Sequence, residues 1–474
     1  MVKQVLSVAS EAVPLLKTGG LADVVGALPA ALAGQGWRMR VLMPAYRPLR
    51  ARIADWPVLW READLFGGAA EVRGGEVAGT DVLLLDAPHL YDREGGPYSG
   101  PGGDWPDNPE RFAALSWAAA LIAEGALSDG WRPEVVHAHD WQAGLAPTYI
   151  AYRGRGVPSV LTIHNVAFQG FAPADRLAAL RLPADQFHSG ALEYYGGISA
   201  LKAGLVTADR ITTVSPRYAE ELMRPEFGMG LEGVIAARGG DVSGILNGVD
   251  TVIWSPEAVE PPFSARSFKG KAAARAALCA EFGLEVPGPL AIVVSRLTDQ
   301  KGIDLIPAVA GQFIAAGGGL VVLGSGDAGL EGAMRDLATA HPGRVAVRIG
   351  YDEGLSRRMF AGGDAVLVPS RFEPCGLTQM YGLRFGTLPV VSAVGGLADT
   401  VISASPVALE AGVATGIVFH PTDAMALGRA LRRLCDLHAE PKVWAAMMRN
   451  AMRQDLGWGS SAAAYARLYE SLLP

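Results

Sequence analysis

The sequence has few of the features that mark exported or metal-binding proteins. Its 474 residues include only three cysteines, Cys279, Cys375 and Cys435, which lie far apart and form no CxxC pair. This spacing argues against a disulfide scaffold and a structural zinc site, and a reducing cytoplasm is the simplest setting. No run approaches the roughly 18 apolar residues of a membrane span. The N-terminal stretch reaches Glu11 before a long apolar run develops, so we expect neither export nor a membrane partner.

Charge is also scarce. Charged residues make up 19% of the chain, hydrophobic residues make up 50%, and the formal net charge is −7. Lysine and arginine are scattered, so we expect no nucleic-acid partner. The balance is typical of compact α/β domains, and the length is too great for one core. We therefore expect two or three domains whose anionic ligands are held by local groups, and the oligomeric state is left open.

Short β-branched runs alternate with helical segments along the whole chain. The predicted strands are 5–9, 38–43, 82–85, 135–136, 160–163 and 211–214 in the first half, and 290–294, 319–323, 345–349, 365–368, 389–391 and 416–419 in the second. The predicted helices of the first half are 24–33, 109–124 and 198–205. Alternation at this spacing predicts doubly wound parallel sheets, one in each half of the chain.

The boundary between the halves follows from turn residues. Asn247-Gly248 begins a turn, and prolines 256, 261 and 262 mark a linker, which divides the chain into domains 1–246 and 247–457. Near the end, Ser460-Ser461 is positioned to cap a last helix. That helix carries apolar residues at Tyr465, Leu468, Tyr469 and Leu472, so one of its faces must be buried.

Polar residues follow several predicted strands of the first domain. His137, His139 and Asp140 follow one strand, and His164 follows the next. Ligands of open α/β sheets bind at these carboxyl ends, so His164 is either a substrate contact or a semi-buried histidine. His137 and His139 lack a third ligand at a telling spacing, and the chain has no Asp-x-Asp pair. We therefore predict no metal site.

The stretch 369–400 is the strongest candidate for a ligand site. Two helix starts lie side by side there, and their backbone N–H groups suit a diphosphate. Glu373 is better aimed at hydroxyl groups, so the ligand is interpreted as a nucleotide sugar, unless Glu373 is an ordinary surface residue. Arg296 and Lys301 follow the first strand of the second domain and are either phosphate ligands or a solvated pair.

Two further patterns involve glycine. Residues 19–23, GGLAD, recur letter for letter at 395–399, where each copy would bring bare backbone to a ligand. Residues 324–329 spell GxGxxG, which is typical of dinucleotide-binding oxidoreductases, but no acid stands about twenty residues on to hold a ribose. We interpret this second pattern as a turn that permits close backbone approach. Tyr351 either stacks on a base or packs its own loop.

Several longer motifs carry a family resemblance. They are KTGGLADVVGALP from Lys17, HAHDWQAGLAP from His137, TIHNVAFQG from Thr162, NGVDTVIWSP from Asn247, SRLTDQKGIDL from Ser295 and PSRFEPCGLTQMYGLRFG from Pro369. Together they resemble bacterial glycogen synthases and plant starch synthases over the whole chain. The resemblance implies the GT-B glycosyltransferase fold, an α/β architecture of two doubly wound Rossmann-like domains facing across a cleft. It also implies an acceptor-side first domain, a nucleotide-sugar-binding second domain and a C-terminal helix, 458–474, crossing back onto the first.

The implied activity is transfer of glucose from ADP-glucose to the non-reducing 4-hydroxyl of an α-1,4-glucan such as glycogen, with retention of configuration and no cofactor. The alternatives are another retaining enzyme of this fold with a small acceptor, a nucleotide-sugar epimerase, and a glucan-binding protein without activity.

The resemblance also assigns roles to residues. Arg296 and Lys301 match the pair that stabilises the departing diphosphate, Glu373 matches a ligand of the sugar hydroxyls, and Tyr381 stands where related transferases carry a second glutamate. The implied catalytic residues are Arg296, Lys301, His164, Glu373 and Asp140. The implied substrate-binding residues are Lys17, Thr18, Gly19, Gly20, Asp23, Asn247, Tyr351, Cys375, Gly376, Leu377, Thr378, Gly395 and Gly396.

Overall fold

The computed structural model describes residues 2–154 and 156–474, which form two compact units. Unit 1 comprises the chain through Gly248 together with Trp458–Pro474, and unit 2 is Val249–Gly457. The sequence places the division two residues earlier, between residues 246 and 247.

The main sheet of unit 1 is a nine-stranded, largely parallel sheet in the order β14-β13-β9-β8-β1-β2-β5-β4-β3. The strands of unit 1 are β1 Lys3–Val8, β2 Trp37–Pro44, β3 Val58–Glu62, β4 Ala70–Val77, β5 Thr80–Asp86, β6 Ser99–Gly100, β7 Gly103–Asp104, β8 Val135–His139, β9 Ser159–Ile163, β10 Phe171–Pro173, β11 Glu193–Tyr194, β12 Gly197–Ser199, β13 Arg210–Thr213 and β14 Val242–Gly244. In the central register Val5 lies between Met39 of β2 and Val135 of β8. Within the nine-stranded sheet all pairs are parallel except β3 with β4 and β4 with β5.

Helices cover both faces of this sheet, as parallel strands with crossover connections require. The α-helices of unit 1 before the linker are α1 Gly20–Ala33, α2 Arg47–Arg50, α3 Pro88–Tyr91, α4 Asn108–Ala123, α5 Asp140–Ala143, α6 Leu145–Tyr152, α7 Ala200–Thr207, α8 Pro216–Glu221 and α9 Glu232–Ala237. The helix predicted at 198–205 begins later, at Ala200, because Gly197–Ser199 is β12 and the Ser199 hydroxyl accepts a hydrogen bond from the Lys202 N–H as the helix cap.

The sheet of unit 2 is parallel throughout, in the order β17-β16-β15-β18-β19-β20. Its strands are β15 Leu290–Val294, β16 Gly319–Gly324, β17 Val345–Ile349, β18 Ala365–Val368, β19 Leu388–Ser392 and β20 Ile417–Phe419. Its α-helices are α10 Lys269–Phe282, α11 Leu305–Ala315, α12 Ala328–Ala340, α13 Glu353–Gly362, α14 Thr378–Phe385, α15 Gly395–Thr400, α16 Pro406–Glu410, α17 Ala424–His438 and α18 Pro441–Arg453. The prediction of a second doubly wound sheet is confirmed.

The last helix, α19 Trp458–Glu470, belongs to unit 1. Tyr465 and Tyr469 are fully buried there, and the Tyr469 ring meets Trp37 edge to face at 5.2 Å. The predicted burial of this face is confirmed, but the predicted cap is wrong because α19 already begins at Trp458. The Ser461 hydroxyl, one turn into the helix, donates to the Leu246 carbonyl instead.

Several parts of unit 1 were not predicted. Among them are the hairpin of β3 and β4 on the sheet edge, the edge strand β14, the two-stranded sheet of β6 and β7, and the small antiparallel sheet of β10, β12 and β11. No helix among the described residues is long and apolar enough to cross a membrane.

Candidate functional site

Both sheets have a point at which the strand order reverses. In unit 1 the order runs from β1 through β2 in one direction and from β8 through β9 in the other. In unit 2 it runs from β15 through β16 in one direction and from β18 through β19 in the other. The loops after such neighbouring strands diverge and leave room for a ligand at their carboxyl ends.

The loop after β1 is ordered by Glu11, a buried residue that the sequence analysis did not select. Glu11 Oε2 accepts the backbone N–H and, at 2.7 Å, the hydroxyl of Thr18, and it lies 3.3 Å from the Gly19 N–H donor. Lys17 and Asp23 pair at 2.7 Å. These bonds hold the Lys17–Gly20 turn in place, and the Gly19 N–H, in a turn expected to approach a ligand, is engaged by Glu11. The sequence signal that could have identified Glu11 is an acidic residue just past a buried strand.

Asp140 lies where β8 ends, in a left-handed backbone conformation with φ of 54°. This conformation is uncommon for residues other than glycine, although aspartate and asparagine tolerate it best. Its Oδ1 accepts the backbone N–H groups of His164 at 2.6 Å and Asn165 at 3.3 Å. Burial raises the pKa of the Asp140 carboxyl to about 7, against the lowering effect of these two N–H donors. Asp140 therefore joins the ends of β8 and β9.

His164 is half-buried beside Asp140, and its ring is bonded to a second histidine, His139. Its Nε2 lies 3.0 Å from Nδ1 of His139, whose Nε2 lies 3.1 Å from the Ser7 hydroxyl. Burial lowers the pKa of His164 to about 3 and places the pKa of His139 well below its ordinary value. The side chains are therefore neutral at pH 7.

The pair of histidines predicted to follow a strand lies within β8. His137 Nδ1 is 2.7 Å from the Tyr469 hydroxyl, and its Nε2 is 2.6 Å from the Thr162 hydroxyl. Both ring nitrogens of His137 therefore form hydrogen bonds within the core of unit 1. Among residues 2–154 and 156–474, no group of three histidine, cysteine, aspartate or glutamate side chains is placed to hold a metal ion.

Asn247 is the remaining predicted residue of unit 1. It is buried, and its Oδ1 has no hydrogen-bond partner among the described residues. An unpaired buried acceptor is costly, so this oxygen is suited to a ligand donor.

The site of unit 2 is built around an ion pair. The Lys301 ammonium donates to Glu373 Oε2 at 2.5 Å, and the Ser370 hydroxyl donates to the same oxygen at 2.9 Å. The Lys301 and Glu373 side chains are only 17% and 9% exposed. Ser392, at the end of β19, donates its hydroxyl to the Ser370 carbonyl. The cluster therefore ties together the ends of β15, β18 and β19.

Arg296 is held much less tightly than Lys301. It is exposed, and its guanidinium reaches Gln300 Oε1 at 3.4 Å. Arg371 fixes the same loop, since its guanidinium makes two 2.7 Å bonds to Asp304. Thr298 Oγ1 is buried with no partner in the described part of the chain. Arg296 is thus an exposed cation with one long hydrogen bond, on a loop that Arg371 ties to Asp304.

The two GGLAD copies have different structural bases. At Gly395, φ is 41°, and an added Cβ at Gly396 would lie 2.1 Å from the Cys375 carbonyl oxygen. The Gly396 N–H, expected to face phosphate, donates instead to the Glu373 carbonyl at 3.1 Å. At Gly20, an added Cβ would meet no heavy atom within 4 Å. In the second copy, the close approach of the Glu373 loop requires glycine at 395 and 396. In the first copy, Gly20 has open space beside it.

The segment Cys375–Thr378 leads into α14, which begins at Thr378 without a side-chain cap. Its first N–H groups have no acceptor within the helix. The Gln379 amide donates to the carbonyls of Cys375 at 3.0 Å and Gly376 at 2.7 Å. Leu377, the residue just before α14, is half-buried. Gln379 therefore fixes the turn that presents this helix start.

The two tyrosines of interest lie in different surroundings. Tyr351 follows β17, two strands from β15, and its side chain is 80% exposed while its hydroxyl donates to Glu353 at 3.3 Å. Tyr381 stacks on Trp254 with ring centroids 3.7 Å apart and planes at 13°. Tyr381 therefore packs α14 against the segment that opens unit 2.

Comparison with known proteins identifies the chain. The family described as starch synthase catalytic domain matches residues 4–237, and the family of glycosyl transferases group 1 matches residues 278–451. The glycogen synthase of Cereibacter sphaeroides strain ATCC 17025 is 71% identical over 99% of this chain and 98% of its own length. That of Paracoccus denitrificans is 61% identical over 99% of both. Among solved structures, the catalytic domain of starch synthase IV from Arabidopsis thaliana, bound to ADP and acarbose, matches with a TM-score of 0.86 and 29% identity over 99% of both chains.

These findings and the two doubly wound sheets define a glycosyltransferase of the GT-B fold. Within that class, the chain belongs to the glycogen synthase family, as the full-length identities show and as the motifs predict.

Single Gly→Ala variants test whether Gly396 is required by close packing and whether Gly20 is not. We expect Gly396→Ala to destabilise unit 2 by about 1–3 kcal/mol, because its methyl group would overlap the Cys375 carbonyl. We expect Gly20→Ala, at the start of α1, to change stability by less than about 0.5 kcal/mol. Urea unfolding of both variants measures this, and equal effects would contradict the assignment.

The pKa of Asp140 predicts a pH-dependent stability. Its folded pKa of about 7 lies above the ordinary 3.8, so the carboxyl contributes stability at low pH that is lost as the pH rises through 7. Asp140→Asn keeps the acceptor oxygen but does not titrate. We expect its unfolding free energy relative to wild type to rise by about 2–3 kcal/mol between pH 5 and pH 8.

Hydrogen exchange of amides in β8 and β9 at the two pH values measures this difference. Asp55→Asn, at an exposed position, is the matched control. A pH trend no larger in Asp140→Asn than in this control would contradict the prediction.

Proposed function

We propose that this glycosyltransferase transfers glucose from ADP-glucose to the non-reducing 4-hydroxyl of an α-1,4-glucan, with retention of configuration. The observation that carries the proposal is the ion pair of Lys301 and Glu373 at the strand-order reversal of unit 2, with Arg296 on the same loop after β15. It combines cations suited to a diphosphate with a carboxylate suited to sugar hydroxyls.

In this proposal the donor lies along the carboxyl ends of the unit 2 strands. Arg296 and Lys301 hold the diphosphate, and the uncapped start of α14 adds backbone N–H donors. Glu373 accepts hydrogen bonds from the glucose. Its oxygen shared with Lys301 and Ser370 is fixed before the donor arrives, so no ordering cost is incurred on binding. The exposed Tyr351 ring is the platform proposed for adenine.

Unit 1 supplies further proposed contacts. His164 donates a hydrogen bond to the transferred glucose, and the open space beside Gly20 admits a ligand close to the start of α1. Asp140 fixes the backbone that carries His164. Lys17 and Asp23, paired with each other, keep the α1 start in shape.

The proposed chemistry is attack by the acceptor on the face that the diphosphate leaves. The acceptor 4-hydroxyl forms the new bond to the anomeric carbon while the bond to the diphosphate oxygen breaks. The hydroxyl proton passes to the departing ADP, and Arg296 and Lys301 stabilise the charge that develops there. Removing one such donor typically costs about 2.7–4 kcal/mol of the barrier. Two protein cations serve the diphosphate, so the proposed reaction uses no cofactor.

We also propose a reducing compartment such as the cytoplasm as the site of action. Cys279, Cys375 and Cys435 form no disulfide within the described part of the chain, and Cys375 lies in the loop that carries the proposed donor site.

A labelled-donor assay tests the function. The protein is incubated with glycogen and either ADP-glucose or UDP-glucose labelled in the sugar, and the glucan is precipitated with ethanol. We expect label in the pellet with ADP-glucose and at least about a hundredfold less for Arg296→Ala, which removes one diphosphate donor.

Arg335→Ala is the matched control, since Arg335 is an exposed arginine of the same unit that bonds to Glu331 on its own helix. It should retain wild-type transfer. Label that stays in the supernatant as a small sugar product would favour a small acceptor and contradict the glucan. Equal labelling from UDP-glucose would contradict the proposed donor.

A further inference from the structure

Behind His164 lies a chain of hydrogen bonds that the proposed reaction has not used. Ser7 lies on β1, His139 at the end of β8, and His164 just after β9. The Ser7 hydroxyl is 3.1 Å from His139 Nε2, and His139 Nδ1 is 3.0 Å from His164 Nε2. Ser7 and His139 are fully buried. Three neighbouring parallel strands thus contribute one polar group each to a single line.

The number of protons along this line determines which atom donates in each of its two hydrogen bonds. The buried Ser7 hydroxyl needs an acceptor, and in the described part of the chain its one side-chain partner is His139 Nε2. Ser7 therefore donates to a nitrogen that carries no proton. Neutral imidazole has one proton, so His139 carries its proton on Nδ1 and donates it to His164 Nε2. His164 Nε2 is then an acceptor, and its own proton must be on Nδ1.

We propose that Ser7 and His139 are positioning residues that hold His164 in the Nδ1–H tautomer, so that the ring offers a fixed N–H donor to the transferred glucose. This inference rests on the proposed function for the identity of the acceptor group. Ser7 and His139 act only through His164 and touch no reacting atom.

The surroundings of the ring agree with a donor role. Burial lowers the pKa of both His139 and His164, so neither gains a second proton near neutral pH. Asp140 accepts the backbone N–H of His164 through Oδ1, and the ring bonds to His139. The ring is therefore neutral and donates a hydrogen bond, and it does not exchange a proton with the substrate.

A second hydrogen-bond line provides the control. The His137 ring lies 4.1 Å from the His139 ring, centroid to centroid, with the planes tilted by 37°, but its nitrogens bond to Tyr469 and Thr162. Tyr469→Phe therefore removes a hydrogen bond from a neighbouring buried histidine and leaves the Ser7–His139–His164 line intact.

The test is nitrogen NMR of the full chain labelled with ¹⁵N-histidine, which distinguishes a protonated from an unprotonated ring nitrogen. Only eight histidines contribute signals, and single His→Gln variants assign them. We expect His164 to be protonated on Nδ1 alone in wild type and in Ser7→Thr. In Ser7→Ala we expect a mixture of tautomers at both His139 and His164, and in Tyr469→Phe a change at His137 alone.

Kinetics provide the second readout. We expect Ser7→Ala to lower kcat/KM for ADP-glucose about fivefold to tenfold with an unchanged KM for glucan, and Ser7→Thr to restore it. Tyr469→Phe should match wild type. A wild-type His164 protonated on Nε2, or a Ser7→Ala variant with an unchanged tautomer or unchanged kcat/KM, would overturn the proposal. Failure of the proposed function is distinguishable, because wild type would then transfer no glucose while the tautomers remain readable.

Discussion

The ion pair between Lys301 and Glu373 is the interaction on which the unit 2 site depends. Both charges are largely removed from water and lie 2.5 Å apart. Breaking such a pair by removing one partner typically costs about 3–5 kcal/mol, because the other charge is left buried and unpaired. The pair therefore fixes the loop after β15 against the loop after β18, and Ser370 extends that connection toward β19. Each residue keeps the other in the position where a diphosphate and a sugar would meet it.

Unit 1 orders its loops with carboxylates in a similar way. Glu11 binds the N–H groups that open α1, and Asp140 binds those that follow β9. Acidic side chains thus replace water as acceptors for backbone donors at the carboxyl ends of parallel strands. These hydrogen bonds hold the loops in place before any ligand binds. The conformational-entropy cost of ordering them on binding is therefore smaller. The raised pKa of Asp140 is the electrostatic cost of this arrangement, because burial penalises its charged form and Glu11 adds a like charge nearby.

Much of the fold followed from sequence periodicity. Runs such as Leu290–Val294 and Ala365–Val368 are largely buried strands with the predicted bounds, because parallel strands covered on both faces must be continuously apolar. The β3–β4 hairpin escaped prediction because Ala70–Val77 contains two adjacent glycines in its interior, which weaken a strand signal. His137 and His139 were expected after their strand, since polar residues rarely continue a buried strand unless partners such as Tyr469 and Ser7 satisfy them.

The candidate site was predicted less completely than the fold. Motifs identified Lys301 and Glu373, but their pairing joins residues 72 positions apart, which no local pattern reveals. The glycines at 395 and 396 are predicted ligand contacts because their letters match those at 19 and 20, and this stays a prediction. Their close approach to the carbonyls of the Glu373 loop exists only in three dimensions, so the sequence does not reveal it.

A double-mutant cycle on Lys301 and Glu373 tests the central claim most directly. The claim is that the two side chains act as one unit in glucosyl transfer. With Lys301→Met, Glu373→Gln and the double variant, the account predicts that the second exchange lowers kcat/KM much less than it does in wild type, with a coupling of at least about tenfold. Effects that simply multiply in the double variant would contradict it.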